Sequence, residues 1–135
     1  MKNNHKRVIA HSGDKFSTKA RIKSFGYAFK GLAYFFRTQH NSWIQGAAAI
    51  AAIALGYFLK INLQEWLWII FSIGSVFAAE LFNTAIEALT DLVSPEKNET
   101  AGRVKDLAAG GVLMVSFTSL LIGILIFGPK IISHF

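Results

Sequence analysis

ELFNTAIEALTD, Glu80 to Asp91, ends a long apolar run with two glutamates, an asparagine and an aspartate. At about 100° per residue, Glu80, Asn83, Glu87 and Asp91 fall at roughly 0°, −60°, −20° and +20°, so a helix here carries all four on one stripe. An ionisable residue in a membrane helix costs at least ~3 kcal/mol on insertion scales, and residues that bear this cost bind or react. The stripe is therefore the candidate active site. Ahead of it Trp66 to Ala79 is apolar. The segment reads as a helix over about 65–91 whose acidic half is covered by protein rather than by lipid.

The surrounding composition agrees. Of the 135 residues 53% are hydrophobic and two are proline, which reads as an all-α integral membrane protein. Further spanning helices are expected over about 43–60 and 101–128, where the apolar runs Trp43 to Leu59 and Leu107 to Phe127 meet the length a bilayer requires. The chain has no cysteine, which excludes disulfides, thiolate metal sites and cysteine nucleophiles. The first apolar run begins far from the N-terminus without a small-residue cleavage site, so it reads as a permanent helix rather than a signal peptide.

Nine of the fourteen Lys and Arg residues precede position 40, against one acid there, Asp14. The positive-inside rule then places the N-terminus in the cytoplasm, the Lys60 to Glu65 loop outside, and the Asp91 to Lys105 loop inside again. Residues 1–16 read as a flexible cytoplasmic tail, and 17–135 as one membrane-integral domain. From Ser17 to Gln39, Ile22, Phe25, Phe29, Leu32 and Phe36 step by three and four opposite Lys19, Lys23, Lys30 and Arg37. This is the pattern of an amphipathic helix lying at a membrane surface, and it favours anionic headgroups and phosphates over nucleic acid as partners.

TQHNSW, Thr38 to Trp43, is a polar break in which Asn41 or Ser42 is expected to cap the next helix. Trp43, Trp66 and Trp68 suit membrane interfaces. Gly46, Ala47, Ala48, Gly110 and Gly111 suit close helix packing. Ser94 and Pro95 should stop one helix and residues near Thr100 start the next.

Phosphoryl transfer needs a base or positioner for the attacking hydroxyl, a metal on the phosphates, and cations for the remaining charge. Glu80 lies deep enough to meet a lipid hydroxyl. Glu87 lies two turns, ~10 Å, nearer the cytoplasm, where it could receive Mg2+ with ATP, and Asn83 sits between them. Lys105 and Asp106 offer a cation and an acid at the same level; taken alone, they read equally well as a helix-end ion pair. The sequence has no P-loop, no dinucleotide fingerprint and no protein-kinase motif. Its four histidines lack the spacing of a zinc site.

ELFNTAIEALTD followed by GRVKDLAAG, residues 102–110, resembles the signature of the small membrane-integral bacterial diacylglycerol kinases and their undecaprenol kinase branch. KSFGYAFKGL, Lys23 to Leu32, resembles that family's surface helix, and the likeness covers about residues 20–130. The resemblance implies a homotrimer with active sites shared between subunits, each subunit having one surface helix and three membrane helices. It implies transfer of the γ-phosphate of ATP to the primary hydroxyl of diacylglycerol or undecaprenol. By the same resemblance Glu80 is the base, Glu87 a magnesium and ATP ligand, Asn83 an organiser of the site and Asp91 its support. Lys105 and Asp106 contact the nucleotide, Glu96, Lys97 and Asn98 lie over it, Tyr27 touches ATP, and Arg21 is a phosphate contact.

The chain departs from the family pattern where a second metal-binding glutamate is expected. Gln39 stands there, a neutral oxygen that binds Mg2+ more weakly, and the family's next acid in that region is also an amide, Gln45; either Glu87 and the ATP phosphates hold the metal, or His40 and Asn41 rearrange the site. A different class, the small proton-coupled transporters, would also use Glu80. It would leave Asn83, Glu87 and the Lys105 and Asp106 pair without a task.

Overall fold

Gly56 to Glu65 turns the chain back on itself within a few residues, and each bond in the turn follows from local chemistry. Lys60 adopts a left-handed conformation, φ 49°, and the Lys60 and Ile61 amides donate to the carbonyls of Tyr57 and Gly56 at 3.3 and 3.1 Å. These are the two bonds of a Schellman motif, which satisfies carbonyls left open at a helix end. The next helix opens at once with a capping box: Asn62 Oδ1 accepts from the Glu65 amide at 3.0 Å and Glu65 Oε2 from the Asn62 amide at 2.7 Å.

The computed structural model describes residues 17–96 and 98–134. Four helices follow in order, α1 (Thr18–Thr38), α2 (His40–Phe58), α3 (Leu63–Val93) and α4 (Glu99–His134), with no strand among the described residues. The tail expected over 1–16 and the candidate nucleotide residue Lys97 lie outside the described residues. By internal contacts the chain forms two units, one to Gly31 and one from Leu32. In the first, Ile22, Phe25 and Phe29 are exposed, and the Lys23 and Lys30 ammonium groups each lie 5.9 Å from the Tyr27 ring centre.

In the second unit the main packing is between α3 and α4. Glu65, near the start of α3, pairs with Lys130 near the end of α4 at 3.2 Å, and Asp91, near the end of α3, pairs with Lys105 near the start of α4. The helices are therefore antiparallel, and the intervals 65 to 91 and 105 to 130 agree to within one residue. α2 packs on both near the Schellman turn, where Ile61, Ile69 and Phe127 are buried with Ala52, Leu55, Leu59, Trp66, Ile73 and Ile126 against them.

α3 and α4 are each long and apolar enough to cross a membrane, and only 17% and 6% of their most apolar stretches are buried. A core helix of a soluble protein would be mostly covered, so these two helices have the character of membrane spans. α2, expected to span as readily as α4, does not meet the same test of length and composition. His40, Asn41, Ser42 and Gln45 take up much of its first two turns. The cap expected at Asn41 or Ser42 is also displaced: Gln39, with φ −99° and ψ 109°, holds the N-cap position without a side-chain bond. Ser42, fully buried, instead donates its hydroxyl to the Gln39 carbonyl at 2.6 Å.

Close helix approach falls at Gly56, where an added Cβ would meet Trp66 Cη2 at 2.8 Å and Ile61 Cδ1 at 3.0 Å. Within this chain Gly46, Gly110 and Gly111 have nothing within 4 Å of that position. Gly56→Ala should destabilise the fold by about 1–3 kcal/mol through overpacking. Denaturant titration of the protein in detergent, with Gly74→Ala as the neutral comparison, measures it.

Candidate active site

A single extended residue, Gln39, separates α1 from α2 and starts α2 beside α3. Around this junction Phe35, at 1% exposure, and Phe36 pack on Phe77 with ring centres 6.5 and 5.8 Å apart. Phe77 lies one turn before Glu80 on α3, so this aromatic packing brings the first turns of α2 against the Glu80 face.

Glu80 is 6% exposed. Its Oε1 accepts two side-chain amides of α2, Asn41 Nδ2 and Gln45 Nε2, the second at 2.7 Å. Asn41 and Gln45 are four residues apart and therefore on one helix face. Among the described residues no donor reaches Oε2 and no Lys, Arg or His pairs with the carboxylate. A buried carboxylate without partners would be strongly destabilising, and here two amide dipoles stabilise it. Its charge is left uncancelled. The free oxygen of such a group can take a proton from an alcohol.

The acidic stripe expected from periodicity divides into three. Asn83 does not bond Glu80; its Nδ2 donates to Glu87 Oε1 at 2.9 Å, while its Oδ1 is buried without a partner. One half-buried carboxylate and one unpartnered amide oxygen thus stand together. Both are hard oxygen donors that suit Mg2+, which uses one or two carboxylates and completes its shell with water and phosphate oxygens. Among the described residues no group of three or more His, Cys, Asp or Glu could cage a metal by itself.

Asp91, exposed, turns to α4 and pairs with Lys105, which is half-buried. The alternative of a pair between Lys105 and its neighbour Asp106 is not formed; Asp106, one residue on, is exposed. Asp91, Lys105, Glu96 and Asn98 line a polar depression of about 440 Å³ with Ser94, Pro95, Glu99 and Gly102. Asn98 also caps α4, its Oδ1 accepting from the Thr100 amide at 2.8 Å. Gln39 is half-buried, and its backbone carbonyl holds Ser42. Tyr27 and Arg21 belong to the first unit, on the exposed surface of α1.

Two residues of the site were not among the sequence candidates. Asn41 was expected to be a cap, and Gln45 was noted only as a replaced acid. Their spacing carried the signal: two amides one turn apart on an otherwise apolar helix share a face.

The sequence matches the profile described as prokaryotic diacylglycerol kinase over residues 26–127. It is 39% identical to the undecaprenol kinase of Bacillus subtilis (strain 168) over 110 residues, 82% of this chain and 89% of that protein. With the diacylglycerol kinase of Escherichia coli (strain K12) the identity is 31% over 93 residues, 69% and 76% of the two chains. A membrane helix bearing a buried carboxylate without a cation partner, with a polar depression at its far end, fits the class these relatives define, the lipid kinases. This chain belongs to the prokaryotic diacylglycerol kinase family.

Because the Asp91 carboxylate is exposed, Asp91→Asn should change the unfolding free energy by less than about 1 kcal/mol. Denaturation in detergent tests this. A larger loss would make the pair part of the packing between α3 and α4.

Proposed function

We propose that the protein transfers the γ-phosphoryl group of ATP to the primary hydroxyl of a membrane lipid, with Glu80 as the base. The observation that carries this is the 6% exposed carboxylate held by neutral amides through one oxygen only. Glu80 Oε2 takes the hydroxyl proton while the lipid oxygen attacks phosphorus. Glu87 and Asn83 Oδ1 would hold Mg2+, which supplies charge neutralisation on the phosphates when bound. Lys105, Glu96 and Asn98, which line one depression, would contact the nucleotide together with Asp106, and Asp91 would orient the Lys105 ammonium. The proton-coupled transporter reading gains nothing from the family match and leaves these groups idle.

Depth supports the assignment. Counted from Glu65 at 1.5 Å per residue, Glu80 lies ~22 Å along α3 and Asp91 ~39 Å, against a hydrocarbon core of ~30 Å. With Glu65 and Lys130 at one interface, Glu80 falls inside the apolar slab and Glu87 and Asp91 at or beyond its other edge. A lipid alcohol and a soluble nucleotide could then meet between them.

The N-terminal basic excess supports a cytoplasmic N-terminus in the inner or plasma membrane, with α1 on the surface and α2, α3 and α4 across it. The unfilled positions at Gly46, Gly110 and Gly111 support a homotrimer, in which neighbouring subunits would pack on these faces and share sites. Undecaprenol is the acceptor we favour over diacylglycerol, on the 39% identity and broad coverage of the undecaprenol kinase.

Transfer of labelled γ-phosphate from Mg-ATP to undecaprenol and to diacylglycerol, side by side in mixed micelles, tests the reading. Glu80→Gln should lower turnover at least about 100-fold, in keeping with loss of a general base, while nucleotide binding persists. Glu87→Gln should instead weaken Mg-ATP binding. Retained turnover in Glu80→Gln would remove Glu80 from the role of base, and faster transfer to diacylglycerol would reverse the preference.

A further inference from the structure

We propose that Asn41 and Gln45 act together as positioning residues that make Glu80 a one-sided base, an inference that rests on the role proposed above for Glu80. Both amides reach the same oxygen, Oε1. Two donors to one carboxylate oxygen fix the rotation of the group and occupy that oxygen. Protonation of Oε1 would require it to give up at least one donor, whereas Oε2 has none to lose among the described residues. The pair therefore selects the atom that receives the proton.

The bonds of the transfer step balance on this arrangement. The lipid O–H bond breaks and an O–H bond forms at Glu80 Oε2. The lipid oxygen bonds to the γ-phosphorus, and the bond from that phosphorus to the β–γ bridging oxygen breaks with its electron pair leaving on ADP. The proton on Oε2 then returns to solvent.

The chemistry of the amides suits this task better than a charge would. A Lys or Arg at position 45 would form an ion pair and oppose proton uptake, and an acid would compete for the proton. An amide donates without altering the net charge. Its orientation is fixed, because a reversed Gln45 amide would set its carbonyl oxygen against a carboxylate oxygen. The consequence is visible at the other end of the side chain. Gln45 Oε1 is buried with no partner, in a groove lined mainly by apolar residues such as Ile44, Ala48, Ile73 and Phe77, with Ser72, Ser116 and Ser119. An apolar residue would fill that wall without an orphaned oxygen. The contact to Glu80 is what the amide adds.

The test is steady-state kinetics on the full-length protein in mixed micelles for Gln45→Met, Asn41→Ala, the double variant and Gln45→His, beside Glu80→Gln. Helical circular dichroism checks that each variant folds, and Asn41→Ala keeps the test available if Gln45→Met does not. Each single change should lower kcat about tenfold, as loss of a hydrogen bond to a charged group does, with KM for Mg-ATP and for lipid within about twofold of the parent. The double variant should lose at least the product of the two. Gln45→His, whose ring N–H can donate, should recover most of what Gln45→Met loses. Parental kcat in Gln45→Met, a loss confined to KM, or a histidine variant no better than methionine would each overturn the inference. If Glu80→Gln is inactive while Gln45→Met is not impaired, this inference fails alone. If Glu80→Gln stays active, the proposed base fails and this inference with it.

Discussion

The constraint that organises this molecule is the burial of a carboxylate within an apolar helix. Glu80 cannot be covered by lipid and is not paired with a cation among the described residues, so its environment must come from another helix. α2 provides it, and only because the chain leaves α1 through one extended residue. With Gln39 as the sole break, α2 begins at His40 and brings Asn41 and Gln45, one turn apart, onto Glu80. The buried Ser42 hydroxyl fastens that break to the Gln39 carbonyl, and Phe35 and Phe36 anchor it on Phe77. A longer linker would place the same amides with less certainty.

The other constraint is length. α3 and α4 run antiparallel between an ion pair at each end, Glu65 with Lys130 and Asp91 with Lys105. The apolar packing is concentrated near the first of these, around Ile61, Ile69 and Phe127. The second pair closes a five-residue connection, 94–98, beside the polar depression. The tightly packed end thus lies far from the proposed nucleotide site, which falls at the less packed end. Such a division is expected where substrates must enter and leave.

Much of this was legible in the sequence because it is local. Periodicity gave the helices, Ser94 and Pro95 gave the stop of α3, and a polar stripe in an apolar run gave Glu80, Asn83 and Glu87. Pairing across helices was not legible. Angular position placed Asn83 beside both glutamates, but an asparagine amide has one direction to donate, and in the structure it serves Glu87. Asp91 lay on the same stripe and yet answers to Lys105. Asn41 was misread for a similar reason. A polar residue near a helix start satisfies the rule for a cap, and only the tertiary fold shows that Gln39 holds the cap position while the Asn41 side chain is used elsewhere. Gly46, Gly110 and Gly111, expected at close helix contacts, meet no neighbour within 4 Å in this chain, whereas Gly56 does.

The replacement of acids by amides at positions 39 and 45 bears on how the two carboxylates divide the work. Had position 45 been acidic, Glu80 would face a like charge at hydrogen-bonding distance, and the pair would hold a proton in common. With an amide there, Glu80 stands as a single ionisable group whose neighbours do not titrate. Glu87 is placed differently, half-buried and bonded to Asn83, whose own oxygen is unpartnered, a pair of hard oxygen donors of the kind Mg2+ accepts. The two glutamates are seven residues apart on one helix and chemically alike in isolation. Their partners separate them: donors alone surround one oxygen of Glu80, whereas at Glu87 an unpartnered acceptor oxygen adjoins the carboxylate. On the proposed reading, one helix thereby presents a base to the lipid and a cation ligand to the nucleotide, without a motif drawn from the soluble kinases.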